Sequence, residues 1–173
     1  MRPKRELFRQ AGQTYFITFQ TAERKPFFRN ERWAVALLNL IERYRNEFDL
    51  HDFVIMHDHV HLLISPHVAL ERVVQLLKGG FSFQAKRAFE WKGDIWQAGF
   101  SDHRIRDTED WDRHIGYIQK NVLSLRVEGY RFCGTGFRGT LDGRPQWLKP
   151  LSQPGTNGGA EAPPLQSEAA ADS

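Results

Sequence analysis

Between residues 14 and 125 the apolar side chains switch repeatedly between a spacing of two residues and a spacing of three to four. The first spacing is typical of strands with one buried face, and the second is typical of amphipathic helices. Strands are predicted over residues 14–21, 51–56, 59–65 and 103–106, and helices over residues 31–48, 69–91 and 107–125. Gly79-Gly80 is expected to weaken or bend the second helix. This order of elements predicts an α+β fold in which helices pack on an antiparallel sheet.

Length and composition restrict the class of protein. A chain of 173 residues with 40% hydrophobic residues is long enough to form one globular domain. No apolar run approaches the about 20 residues that a membrane helix needs, and the first residues lack the apolar segment of a secretory signal. Cys133 is the single cysteine, which excludes an internal disulfide and a zinc site of several cysteines. We therefore expect a cytoplasmic protein with no membrane partner.

The last part of the chain differs in composition from the rest. Residues 151–173 are rich in Pro, Gly, Ala and Ser and contain no aromatic residue, so a disordered tail is predicted after a domain over residues 1–150. The tail has no Lys or Arg and carries three acids, so the net charge of the domain is more positive than the +3 of the whole chain. A basic domain favours an anionic partner, with nucleic acid as the first choice.

The most informative tripeptide is His59-Val60-His61 in the third predicted strand. Side chains two residues apart in a strand point to the same face, so the two imidazoles should project together while Val60 enters the core. Paired imidazoles can bind one divalent ion and leave room for water or a substrate oxygen. Ordinary strand histidines are the alternative. Asp58 could fix the orientation of a metal-binding imidazole by a hydrogen bond to its other ring nitrogen. His57-Asp58 is nevertheless expected to form a turn.

Tyr117 lies off the apolar stripe of the last predicted helix, on a polar face with Lys120 and Asn121. A tyrosine in such a place is commonly a rim residue with a hydrated hydroxyl. The functional alternative is a nucleophile, which needs help from a metal or a base because a phenol has a pKa near 10. Asn121 is one turn further on, where its amide oxygen could supply a third metal ligand. The stripe itself is predicted core and contains Trp111, Ile115, Ile118, Val122 and Leu125.

Four segments together resemble a known family. They are TYFITFQTAERKPFF, VIMHDHVHLLI, IWQAGFSDHRIRD and HIGYIQKN, and they stand in the order and at the spacings of that family. Over roughly residues 8–130 the chain resembles the IS200-like single-tyrosine (Y1) HUH transposases, most closely the REP-associated tyrosine transposases of bacteria. Two positions depart from the family pattern, since His57 and Val122 stand where the family usually has proline. Neither departure removes a ligand or the nucleophile.

The resemblance implies a ferredoxin-like antiparallel sheet and a metal-dependent DNA transposase. It implies that His59 and His61 bind Mg²⁺ or Mn²⁺ and that Asn121 completes the site. Tyr117 would attack a phosphate of single-stranded hairpin DNA of the REP type, which leaves a 5′-phosphotyrosine link and a free 3′-OH. The protein would then be bacterial and associated with the nucleoid when bound to DNA. Relatives act as homodimers or as monomers, and both states remain open.

Basic and aromatic residues supply the candidates for DNA contact. Phosphate neutralisation would provide affinity, and aromatic side chains could stack on unpaired bases. The alternative is solvated charge and core aromatics. The candidates are Arg24, Lys25, Lys78, Lys86, Arg87, Trp96, Arg104, Arg106 and Lys120, with Phe100 as a further stacking residue.

Two other functions remain open at this stage. A non-catalytic protein that keeps the fold could bind repeat DNA as a structural or regulatory factor. A metal-dependent nuclease could cleave DNA without a covalent step, in which case removal of the phenol of Tyr117 would leave activity intact.

Overall fold

One antiparallel sheet of five strands, in the order β4-β1-β3-β2-β5, organises the fold. The computed structural model describes residues 12–125 and 132–134. The strands are β1 (Tyr15–Gln20), β2 (Phe48–Ile55), β3 (His59–Pro66), β4 (Ser101–Arg104) and β5 (Cys133–Gly134). The helices are α1 (Glu31–Arg43), α2 (Leu70–Ala88) and α3 (Thr108–Ser124). The prediction of an α+β fold, with helices packed on an antiparallel sheet, is confirmed.

The helices cover both faces of the sheet. Tyr15, Ile17 and Phe19 alternate along β1 and join the main core, whose other members include the apolar faces of α1 and α2. On the opposite face Ile118 of α3 packs with Leu63 of β3 in a smaller apolar cluster. The central strand β3 is therefore buried between two layers, which explains why Leu62 and Leu63 are both fully buried.

The first helix is shorter than the predicted range of residues 31–48. Asn30 caps its start, since the Asn30 side chain accepts a hydrogen bond from the backbone N–H of Arg32. α1 ends at Arg43, a short 3-10 turn follows, and Phe48 begins β2. Phe48 fits the helical spacing, but it is fully buried as a strand residue. A single aromatic residue fits both the helical and the strand spacing of apolar residues. The hydrophobic pattern therefore could not show where α1 ends and β2 begins.

The predicted weak point at Gly79-Gly80 does not interrupt α2, which is continuous from Leu70 to Ala88. A Cβ atom on Gly80 would lie 3.2 Å from both methyl carbons of Leu40 in α1. The absence of a side chain at Gly80 thus allows the two helices to pack closely, which compensates for the low helix propensity of glycine.

Two further differences concern the strands at the edges of the sheet. β4 covers residues 101–104 instead of the predicted 103–106, because Ser101 pairs with Thr18 and Arg104 pairs with Tyr15. β5 has no counterpart among the predicted strands; it pairs with Phe53 and Val54 of β2. Neither strand shows strong alternation in the sequence.

The described residues all fall within one compact unit, residues 1–143. The predicted domain limit at residue 150 and the predicted disordered tail over residues 151–173 lie outside the described residues. Within the described ranges, no helix combines the length and the hydrophobicity needed to cross a membrane.

Candidate active site

His59 and His61 project from β3 on the face that α3 covers. The register pairs His61 with Thr18 and His59 with Gln20 of β1, and the two imidazole centroids lie 4.7 Å apart. Val60 points to the other face and is fully buried in the main core. The alternation of side chains along β3 thus brings the two imidazoles together as the sequence pattern predicts.

Each imidazole is held through its Nδ1 atom. His59 Nδ1 lies 2.6 Å from Oδ1 of Asp58, and His61 Nδ1 lies 2.7 Å from Oγ1 of Thr18. The Asp58 carboxylate favours the His59 tautomer with hydrogen on Nδ1, which leaves the Nε2 lone pair available to a ligand. The Thr18 hydroxyl can accept a hydrogen bond from His61 Nδ1 in the same way, or donate one to it. His61 Nε2 is buried and has no hydrogen-bond partner. A buried nitrogen without a partner is costly, and a divalent ion would satisfy it, so this donor pair fits a metal.

The environment also keeps His61 uncharged. Desolvation lowers the pKa of His61 to about 3, with smaller contributions from the nearby His59 and Arg24. The neutral imidazole is the form that binds a metal. His61 is therefore in its ligand form across the whole physiological pH range.

Asp58 connects the histidine pair to the loop after β1. His57 and Asp58 form the turn between β2 and β3, as expected from the sequence. Asp58 Oδ2 forms an ion pair of 2.9 Å with Nε of Arg24, while Oδ1 contacts His59. Glu23 and Arg24 both adopt positive φ angles, of 54° and 56°, which is unfavourable for residues with side chains. This tight turn places Arg24 beside Asp58, and the carboxylate is shared between a cation and an imidazole.

Tyr117 lies on α3 beside the histidine pair. The helix begins where the Asp107 side chain accepts a hydrogen bond from the N–H of Asp110, which confirms the predicted cap. The Tyr117 ring is 5.2 Å from the His61 ring between centroids, with its plane nearly perpendicular at 78°. Tyr117 remains 47% exposed, whereas its neighbour Ile118 is fully buried against the sheet. The phenol ring is thus both close to the histidine pair and accessible from solvent.

Phe16 is a site residue that the sequence analysis did not single out. Its ring stacks on His61 at 5.2 Å and meets Tyr117 edge-on at 5.8 Å. Tyr15 and Ile17 face the main core, so Phe16 must face the histidines. The sequence feature that could have identified Phe16 is its position as an aromatic residue on the otherwise polar face of β1.

Asn121 follows Tyr117 by one turn of α3. Its amide nitrogen donates a hydrogen bond of 2.8 Å to the backbone carbonyl of Tyr117. This contact engages the amide nitrogen with the helix and leaves the amide oxygen as the atom that could bind a metal.

Two of the residues predicted to contact DNA hold the loop before β4. Lys78 Nζ donates hydrogen bonds to the carbonyl oxygens of Gln97, at 2.7 Å, and Gly99, at 2.6 Å. Burial lowers the pKa of Lys78. Trp96 donates from Nε1 to the carbonyl of Lys78 and packs edge-on against Phe19 in the core. Both side chains are therefore engaged in hydrogen bonds within the fold.

The other predicted DNA contacts are more open to solvent. Lys25 is partly exposed and pairs with Glu23 at 2.9 Å. Arg104 is on the face of β4 opposite to the histidine face, because it alternates with His103 and pairs with Tyr15. The remaining candidates, all exposed, are Lys86 and Arg87 on α2, Arg106 in the β4–α3 loop and Lys120 on α3.

A surface groove lies along β1, the strand that pairs with the histidine strand β3. It is bounded by β1 on one side and by the loop that Lys78 holds on the other. Gln20 and Thr18, the partners of His59 and His61 in the sheet, form part of its floor. The residues that line it are Thr18, Phe19, Gln20, Gln97, Ala98, Gly99, Phe100 and Ser101.

Comparison with known proteins identifies the family. The family model described as "Transposase IS200 like" matches residues 10–121. A structure of a REP-associated tyrosine transposase bound to a REP hairpin is 24% identical, covers 67% of this chain and 70% of that chain, and gives a TM-score of 0.56. A crystal structure of a "putative transposase" from Deinococcus radiodurans R1 is 20% identical, covers 65% of this chain and 93% of that chain, and gives a TM-score of 0.46. Comparison with curated proteins gave no match.

The family match extends over more than half of the sequence and includes the strands that carry the histidine pair and most of the helix that carries Tyr117. The first of the two structures shares the fold of this chain. The resemblance inferred from the four sequence segments is confirmed, and the chain belongs to the IS200-like transposase family.

Proposed function

We propose that this protein is a metal-dependent DNA transposase that cleaves and rejoins single-stranded hairpin DNA of the REP type through a 5′-phosphotyrosine intermediate. One observation carries the proposal: the exposed ring of Tyr117 lies against His61, whose buried Nε2 atom has no hydrogen-bond partner. A nucleophile and a metal-binding nitrogen are thus adjacent. The similar structure bound to a REP hairpin supports hairpin DNA as the substrate class.

The chemical step begins at the phenol oxygen of Tyr117. This oxygen attacks a backbone phosphorus, and the bond from that phosphorus to the 3′ oxygen breaks. The 5′ phosphate remains on Tyr117, the phenol proton passes to water, and the departing 3′ oxygen takes up a proton. Attack by another 3′-OH on the phosphotyrosine reverses these events and joins two DNA strands. The covalent link conserves the energy of the broken bond, so no nucleotide cofactor is required.

The chain provides the ligands for a metal and holds them in place. His59 and His61 would bind through Nε2, and the amide oxygen of Asn121 would complete the protein's contribution. Mg²⁺ or Mn²⁺ at this site supplies Lewis-acid stabilisation of the phosphate and of the charge that develops on it. Asp58 and Thr18 fix the imidazole orientations through the Nδ1 contacts, as outer partners of metal-binding histidines commonly do.

The groove along β1 is the proposed path of the DNA strand. Its lining combines polar side chains, such as Gln20 and Gln97, with the aromatic residues Phe19 and Phe100. Arg24, 52% exposed, is paired with Asp58, whose carboxylate also contacts His59. Such a surface can accept a strand by backbone contacts and by electrostatic attraction without reading every base. Lys120, exposed one turn after Tyr117, is the proposed phosphate contact on the helix side.

A denaturing gel tests the proposal. Labelled single-stranded hairpin DNA from repeats flanking the gene is incubated with protein and Mn²⁺, using wild type, Tyr117→Phe and Tyr44→Phe. Tyr44 lies at the end of α1, so Tyr44→Phe removes a phenol away from the site. We expect a covalent adduct with wild type and Tyr44→Phe, and none with Tyr117→Phe or with chelator.

The same gel, together with a native-gel assay of hairpin binding, separates the two alternatives. Cleavage without an adduct that survives Tyr117→Phe would contradict the proposal and indicate a nuclease without a covalent step. Tight binding of the hairpin without cleavage, whether or not metal is present, would indicate a DNA-binding protein that has lost catalysis.

A further inference from the structure

We propose that His103, Asp110 and His114 form a second divalent-metal site, distinct from the histidine pair on β3, which binds a transition ion such as Zn²⁺. The ion would join the edge strand β4 to the first turns of α3, the helix that carries Tyr117. This inference goes beyond the proposed transposase chemistry, because it concerns an ion that fixes the position of a helix rather than one that contacts DNA.

The donor atoms of these three residues are already close together. Asp110 and His114 are one turn apart on α3, and His103 projects from β4 toward them. One ligand atom from each residue can be chosen so that all three lie within 4.8 Å of one another. His103 Nε2 is 2.8 Å from Asp110 Oδ2, and His114 Nδ1 is 3.4 Å from Asp110 Oδ1. Ligand atoms around tetrahedral zinc, with bonds near 2.0–2.1 Å, are separated by about 3.3 Å. The two donor atoms that are farthest apart would therefore approach each other by up to about 1.5 Å on binding.

The carboxylate of Asp110 has an unsatisfied oxygen in this cluster. Asp110 is only 6% exposed, and its Oδ1 atom is buried without a hydrogen-bond partner. Oδ2, in contrast, is close to His103 Nε2 and accepts from the backbone N–H of Arg106 at 3.2 Å. The guanidinium of Arg113 is 3.8 Å from Oδ1, which is too long for a hydrogen bond. A cation between the carboxylate and the imidazoles would satisfy this buried oxygen.

The donor set selects the class of ion. Two imidazoles and one carboxylate are a donor set that binds zinc and neighbouring transition metals more tightly than Mn²⁺. The side chain of His103 is partly exposed, which gives an ion access and leaves a coordination position for water. On binding, the hydrogen of each coordinating ring nitrogen would move to the other nitrogen. His114 would exchange its present hydrogen bond to the carbonyl of Asp110, at 2.7 Å, for the metal bond.

Phe16 separates this cluster from the proposed active site. Its ring contacts His114 at 4.7 Å and His61 at 5.2 Å, so it lies between the two sets of imidazoles. His103 and His114 stack on each other at 4.7 Å on the far side. The two sites would therefore bind independent ions, and removal of one set of ligands should leave the other intact.

The experiment measures metal binding and stability, without DNA. The full chain carrying His59→Ala and His61→Ala serves as the parent, since it lacks the first histidine pair. Isothermal titration with Zn²⁺ should show one bound ion. Saturating Zn²⁺ should raise the melting temperature by about 5–10 °C, as expected for a ligand at roughly 100 times its Kd. Adding His103→Gln or His114→Gln should weaken binding at least about 30-fold and abolish the thermal shift.

His67→Gln provides the matched control, because His67 also pairs with a carboxylate, Asp49, at 3.0 Å but lies apart from the cluster. This variant should bind Zn²⁺ like the parent. X-ray absorption of the zinc-loaded parent needs no further substitution and should detect two imidazole ligands. The inference is overturned if the parent binds no zinc, if His103→Gln and His114→Gln both bind like the parent, or if the spectrum shows no imidazole. None of these results bears on cleavage by Tyr117, so the two proposals fail separately.

Discussion

The edge of the Tyr117 ring lies against His61, with 5.2 Å between the ring centroids, and Phe16 contacts both rings from β1. The strand β1, which pairs with β3, thus also contacts Tyr117 through Phe16. Because of this arrangement, the distance between the proposed nucleophile and the proposed metal ligand depends on the packing of one phenylalanine.

Phe16→Leu should therefore slow formation of the DNA adduct. Leucine keeps the site apolar but cannot contact both rings, and small displacements of reacting groups have large effects on rate. We expect a decrease of about 10-fold in the rate of adduct formation, measured with saturating hairpin DNA. Phe83→Leu is the control, since Phe83 is 61% exposed on α2 and remote from both rings. Equal rates for the two variants would show that Phe16 does not position Tyr117.

Asp58→Asn should weaken the metal dependence of cleavage. The carboxylate holds His59 through Nδ1 at 2.6 Å, and loss of such an outer partner typically costs 10–100-fold in metal affinity. The Mn²⁺ concentration for half-maximal cleavage should increase by roughly that factor, and excess Mn²⁺ should restore the rate. Asp49→Asn removes another carboxylate paired with a histidine, His67, and should leave the metal requirement unchanged. A defect in Asp58→Asn that excess metal does not restore would argue against this role.

Asp52 should make the protein less stable as the pH rises. It is 1% exposed in β2, and burial raises its pKa to about 7, although the backbone N–H of Phe53 partly opposes the shift. In the unfolded chain the carboxyl ionises near pH 4, so the folded state holds the extra proton between about pH 4 and 7. The contribution of Asp52 to stability is complete below pH 4 and is lost as the pH rises to 7.

Asp52→Asn should remove this dependence. A pKa shift of three units corresponds to about 4 kcal/mol. This value is the upper limit of the amount by which Asp52→Asn should raise the unfolding free energy at pH 8. Near pH 4 the substitution should change the unfolding free energy little. Urea denaturation of both proteins at a series of pH values measures the difference. Asparagine retains an oxygen for the hydrogen bond from Phe53, which makes it a conservative test. A difference in stability that does not grow between pH 4 and 7 would contradict the assigned shift.

Lys78 and Lys86 should respond differently to substitution. Lys78 holds two backbone carbonyls of the loop before β4, whereas Lys86 is exposed on the same helix. Lys78→Met should lower the unfolding free energy by about 1–3 kcal/mol, because the loop loses two hydrogen bonds from a charged donor. Lys86→Gln should stay within about 0.5 kcal/mol and should weaken hairpin binding mainly at low salt. Equal stability of the two variants would indicate that the Lys78 contacts are not structural.

Local patterns were sufficient to predict the part of the site that lies within single elements. The alternation in His59-Val60-His61 predicts two imidazoles on one face of a strand, and the helical stripe around Ile118 predicts that Tyr117 points away from the core. Both geometries depend only on the periods of strand and helix. The family resemblance then related the two elements to each other.

The parts that escaped prediction depend on contacts between distant segments. Phe16 becomes a site residue because β1 pairs with β3 in a specific register. His103 meets Asp110 and His114 because β4 pairs with β1 in a register that sets His103 opposite Phe16, on the face that α3 covers. The pairing register of an edge strand is set by tertiary contacts, and short strands with polar residues carry little signal of their own.

The most direct test of the central claim is the identification of the residue that carries the DNA. After reaction with hairpin DNA and Mn²⁺, the adduct is digested with nuclease and trypsin and analysed by mass spectrometry. We predict a nucleotide phosphate on the peptide from His114 to Lys120, attached to Tyr117, which is its only tyrosine. A phosphate on another residue, or cleaved DNA with every tyrosine unmodified, would contradict the proposed mechanism.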